Sequence, residues 1–143
     1  MALAMIPLPA LLLCTIFLML SAVHVYWLIG DFSGLEGVVP SRDGKALFQP
    51  GKISTLAVAV ALFLAAVIAL WRGSSSPIGP AWAPRIGIWV VAAVFAVRAI
   101  GDFRYVGLFK RVRDTRFARN DSLFFSPLCL VIAAMAVWLA VGY

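Results

Sequence analysis

The sequence predicts an all-α integral membrane protein, a four-helix bundle with a short interfacial amphipathic helix between its third and fourth spans. Three observations carry this reading. Of the 143 residues, 64% are hydrophobic and only 13% are charged, whereas a soluble domain is typically about 45–50% apolar and about 25% charged. The apolar residues gather into four runs of roughly membrane-spanning length. The charge is concentrated, with half of the lysines and arginines between Arg104 and Arg119. The length accommodates one membrane domain.

The first span is expected over about residues 8–29. Its run L-L-L-C-T-I-F-L-M-L-S-A-V-H-V-Y-W-L-I has no formal charge. It is longer than the apolar region of a signal peptide and lacks the basic flank of one, so a retained helix is expected. Pro7 and Pro9 suit a first turn, where a missing N–H costs nothing. Tyr26 and Trp27 sit where interfacial anchors belong.

Residues 30–52 form a loop with five glycines and two prolines, which break regular structure. Gly51-Lys52 is not a phosphate-binding loop, because Ala46 stands at the first glycine position and Ile53 replaces the metal-binding hydroxyl. Asp43-Gly44-Lys45 is too short for a calcium loop. Val38, Val39, Leu47 and Phe48 give this loop the means to fold back on the bundle mouth.

The second span is expected over about residues 53–71, with Ala57, Ala61 and Ala65 on one row for close helix approach. The third, about 84–103, follows Pro84. Its uncharged run from Ile86 to Val97 is too short to cross alone, so the helix must carry Arg98 and extend to Asp102 and beyond. The fourth is expected over about 123–141, capped by Asp121 or Ser122, or starting at Ser126-Pro127. A helix that begins earlier is kinked by Pro127.

Four spans put both termini and the Arg72–Arg85 connector on one face. The opposite face carries Arg42, Lys45, Lys52 and six bases between Arg104 and Arg119. The positive-inside rule then places the basic segment in the cytoplasm and both termini outside. Within that segment Tyr105, Leu108, Phe109 and Val112 make an apolar stripe. Arg104, Lys110, Arg111, Arg113, Arg116 and Arg119 are the candidates for binding anionic lipid headgroups. No nucleic-acid-binding motif accompanies the net charge of +6, so the bilayer is the expected partner. A homo-oligomer or a protein partner is left open.

Polar side chains converge near the basic face. His24 lies roughly 9 Å below it by helical rise. Thr55, Arg98, Asp102 and Ser126 enter from the same side on the other helices. Arg98 and Asp102, four residues apart, would share a helix face and pair. These five residues are the candidate polar pocket. Cys14 and Cys129 stand alone without metal-ligand spacing and read as buried apolar side chains, so no metal or cofactor is expected.

Two blocks carry a family resemblance. His24, Trp27, Gly30, Gly34, Gly37 and Pro40 form the first. R-A-I-G-D-F-R-Y-V-G-L-F-K from Arg98, then F-A-x-x-D from Phe117 and S-P-L-C from Ser126, form the second. Together the chain resembles the bacterial membrane proteins grouped as DUF3995, a family of unknown function. The resemblance implies a four-helix protein of the bacterial inner membrane and no named activity. From the residues, the expected role is a binding or accessory module with a pocket for a lipid or other amphiphile. The alternatives are an enzyme on a lipid-like substrate using His24 and Asp102 as acid and base, and a small proton-coupled transporter.

Overall fold

Pro7 holds an extended backbone just before the first helix, α1 (Leu8–Ile29), which runs until Gly30 donates its N–H to the Tyr26 carbonyl. A computed structural model describes residues 6–30, 37–75 and 78–142 of the chain. A two-residue-stranded hairpin follows, β1 (Ser41–Arg42) and β2 (Lys45–Ala46), paired antiparallel. Its turn is Asp43-Gly44, both at positive φ, the backbone that suits tight hairpins. Then come α2 (Lys52–Gly73) and α3 (Trp82–Ile100). The last element is compound: a short α4 (Arg116–Asn120), a π-helical turn over Asp121–Phe125, and α5 (Ser126–Gly142).

Among the described residues, four helical stretches are long and apolar enough to cross a membrane, the fourth being the continuous run Arg116–Gly142. The chain is a multi-pass membrane protein. α1 packs chiefly on α2, and α3 on α5.

Three boundaries differ from expectation, each for a physical reason. α3 stops at Ile100 because Gly101 turns to φ +82, so Asp102 lies beyond the helix. The fourth span starts at Arg116, not near Leu123, because Thr115 caps it: its Oγ1 accepts the Ala118 N–H at 3.0 Å. Pro127 therefore falls inside a helix, where it supplies no N–H and its ring crowds the carbonyl four residues back. The π turn ending just before it widens the helix there, with the Ser126 N–H bonding the Asp121 carbonyl. The amphipathic helix expected across Arg104 to Arg119 is confined to Arg116–Asn120 and runs straight into the span; residues 101–115 are a folded loop.

The core is lopsided. Its buried members are Ala10, Leu13, Cys14 and Phe17 of α1, Leu62 to Ala69 of α2, Ile88 to Ala92 of α3, and Ile132 to Ala140 of α5. All lie toward the end carrying the termini and the α2–α3 connector. Alanines let the helices close there: Ala65, Ala66, Ala69, Ala92, Ala136 and Ala140 are all buried, and small residues permit near approach of backbones. The expected row Ala57-Ala61-Ala65 is not the contact row. Ala57 and Ala61 face outward, while Thr55, Ala59, Leu62, Ala66 and Ala69 face in. Phe17 and Phe95, with ring centroids 5.4 Å apart, mark the limit of this packed half.

At the packed end Arg72 donates from Nη2 to the Ala140 carbonyl at 3.1 Å. It thereby joins the C-terminal ends of α2 and α5, where unpaired carbonyls favour a cation.

Candidate functional site

Beyond Phe17 and Phe95 a cavity of about 460 Å³ opens at the end that carries the long loops. His24 and Trp27 of α1, Ser54, Thr55 and Val58 of α2, and Arg98 of α3 supply its helical walls. The first loop roofs it with Val38, Val39, Pro40, Phe48 and Pro50. Leu47, grouped with them in the sequence, is exposed and does not line the cavity. Val39 is buried, and the Asn120 side chain donates to the Gly37 carbonyl at 3.0 Å, fastening this loop to the fourth span. Gly34 and Asp31 of the same loop lie outside the described residues.

Three of the five expected pocket residues, His24, Thr55 and Arg98, thus line one cavity. His24 Nδ1 is 2.8 Å from the Leu20 carbonyl, and its ring meets Trp27 edge-on at 5.1 Å. With Nδ1 donating, Nε2 of the neutral ring is left as an acceptor. Trp27 is half-buried and lines the cavity, while Tyr26 is the exposed member of the pair. The Ser54 and Thr55 hydroxyls both turn back to the Gly51 carbonyl, at 2.8 and 3.0 Å.

Asp102 and Ser126 are not among the lining residues. Asp102 does not pair with Arg98. Its Oδ1 accepts the backbone N–H groups of Arg104, Tyr105 and Val106 at 2.8–2.9 Å. Its slight burial pushes its pKa up, but those backbone donors outweigh this and hold the carboxyl below its ordinary value. The residue is exposed and organises its own loop, which removes it as an acid-base partner for His24. Ser126 is fully buried, and its Oγ has no protein partner.

The true partner of Arg98 is Asp121, 23 residues further on, at Nη2–Oδ1 3.0 Å. Asp121 is 0% exposed. Its Oδ2 accepts from the Gly107 N–H at 2.8 Å and from Lys110 Nζ at 3.0 Å. Lys110 is 2% exposed and also donates to the Gly107 carbonyl and the Ser122 hydroxyl. Lys110 is therefore not a headgroup ligand; it is a buried structural cation. The other candidates, Arg104, Arg111, Arg113, Arg116 and Arg119, are exposed on the loop face.

This network needs the loop to double back tightly. Gly101 and Gly107 lie back to back at φ +82 and +94, and a Cβ on either would overlap the backbone of the other's segment. The Leu108 N–H returns to the Ala99 carbonyl at 2.8 Å, and the Asp102 N–H to the Val106 carbonyl at 3.2 Å. The Gly107 peptide is thereby placed against Asp121.

The residues of this loop and of the first-loop block coincide with the motifs singled out in the sequence, and a family profile decides the matter. The profile described as "Protein of unknown function (DUF3995)" matches residues 17–136. The chain belongs to the DUF3995 family. No curated protein and no solved structure matches it. The match spans both the cavity wall and the Arg98–Asp121–Lys110 network, so the DUF3995 region contains the whole candidate site.

Two polar features had no clear signal in the sequence. Ser21 donates to the Ala59 carbonyl at 2.8 Å between α1 and α2; a serine in an apolar run gives no hint of its partner. The role of Asp121 was masked by its position beside the span, where a cap was the simpler reading. Its spacing from Arg98 matches no local helical rule. Among the described residues, no three His, Cys, Asp or Glu side chains gather as a metal site would require.

Proposed function

We propose that this protein is a membrane-embedded binding module for a lipid or other amphiphile, held in the cavity at the loop end of the bundle. The observation that carries the reading is the cavity itself. Its volume of about 460 Å³ falls within the roughly 300–1,000 Å³ of small-molecule sites. Most of its lining is apolar, with the titratable side chains His24 and Arg98 set among it. That composition fits a ligand with an apolar body and a polar head. The enzymatic alternative loses its proposed pair, since Asp102 faces the solvent side of its own loop.

The experiment is native mass spectrometry of the protein in neutral detergent with two single-chain probes, oleate and oleyl alcohol. Saturable one-to-one binding of at least one probe, lost on Val58→Trp, is expected. Absence of saturable binding by both probes would overturn the reading.

The membrane placement belongs to the same proposal: a bacterial inner membrane, with the loop face cytoplasmic and anionic headgroups at Arg104, Arg111, Arg113, Arg116 and Arg119. Both native cysteines are buried, so introduced ones report cleanly. An impermeant thiol reagent applied to intact cells should label Ser75→Cys and spare Lys45→Cys. The reverse pattern would invert the topology.

A further inference from the structure

Among the described residues, the cavity wall carries a positive charge that no carboxylate lining it balances. The buried network contains two cations, Arg98 and Lys110, and a single carboxylate, Asp121. Lys110 is enclosed and spends its ammonium on Asp121, the Gly107 carbonyl and the Ser122 hydroxyl. Arg98 is different. Asp121 engages its Nη2, its Nη1 is itself buried without a protein partner, and its side chain, 34% exposed, lines the cavity. Among the described residues, no acidic side chain lines the cavity. A guanidinium presents five N–H donors and suits oxyanions of planar, two-oxygen form. A net positive charge beside apolar helix walls is unfavourable in hydrocarbon surroundings, so an anion arriving there is favoured.

We infer that the ligand is a single-chain amphiphile with a monoanionic oxyacid head, which docks on Arg98 and completes the charge balance of the Arg98–Asp121–Lys110 network. One negative charge matches the one unbalanced positive charge. The apolar lining of Trp27, Val38, Val58 and Phe48 takes the chain. His24 stands on the same wall, with its Nδ1 given to the Leu20 carbonyl. This inference rests on the amphiphile-binding reading above and narrows it to one head chemistry.

The two probes have the same chain and differ in the head, so their ratio isolates the charge. Wild-type protein in neutral detergent should bind oleate at least about tenfold more tightly than oleyl alcohol, the size expected of a charge-assisted hydrogen bond. Arg98→Met leaves Asp121 its Lys110 and Gly107 partners and leaves the surface arginines in place. It should abolish the preference while oleyl alcohol still binds, which also shows that the variant is folded. Arg98→Lys keeps the charge and should keep part of the preference. Equal wild-type affinity for the two probes would overturn the inference while leaving the amphiphile reading intact, as would a wild-type preference persisting in Arg98→Met.

Discussion

Lys110 Nζ and Asp121 Oδ2 stand 3.0 Å apart with side chains 1% and 0% exposed, an ion pair enclosed where a membrane span meets its loop. Removing one partner of such a pair strands the other charge without water, which is far more costly than removing both. Asp121→Ala should therefore destabilise the protein by about 3–5 kcal/mol. Lys110→Met should cost less, because Arg98 and the Gly107 N–H still serve the carboxylate. Denaturant unfolding of both single variants and the double variant tests this. Additive losses would show that the pair is not coupled.

The glycines separate conformation from crowding. Gly44 and Gly101 share positive φ, but a Cβ at Gly44 meets nothing within 4 Å, whereas one at Gly101 overlaps Val106. Gly44→Ala should cost about 1 kcal/mol, the conformational term alone. Gly101→Ala should cost more than about 3 kcal/mol, since strain and displacement of the loop backbone add to it. Equal thermal stabilities of the two variants would refute the back-to-back packing of Gly101 and Gly107.

Acid should loosen the basic loop before it melts the bundle. Backbone donors hold the Asp102 carboxyl below its ordinary value, against a burial effect of opposite sign. A carboxyl depressed in the folded state contributes stability that is complete above its unfolded pKa and is lost as pH falls through the folded one. The Arg104, Tyr105 and Val106 amides should then lose protection from hydrogen exchange as the pH drops below the normal carboxylate range. Asp102→Ala should show the same loss at neutral pH. Protection unchanged in that variant would remove the carboxylate from its capping role.

The spans were legible because hydropathy and length are local sums. Each apolar run reports its own fate in a bilayer, whatever it packs against. The end of α3 was not, because the argument that a short run must lengthen to cross ignored the turn at Gly101. The Arg98–Asp102 spacing offered a partner by local rule, and Asp121 won through tertiary contact between α3 and the π turn. His24, Thr55 and Arg98 could be placed at one level by counting residues from the loop face. Whether they met one space depended on the packing of the alanines at the far end. Lys110 looked like its arginine neighbours, and nothing in a run of basic residues marks the one that turns inward.

The π turn at Asp121–Phe125 has a consequence for how the two halves of the site communicate. Asp121 grips Arg98, a wall of the cavity, with one oxygen, and the Gly107 peptide and Lys110 of the basic loop with the other. A single carboxylate is thus the common tether of the cavity wall and the basic loop, and neither can shift relative to the fourth span without straining its bond to that one side chain.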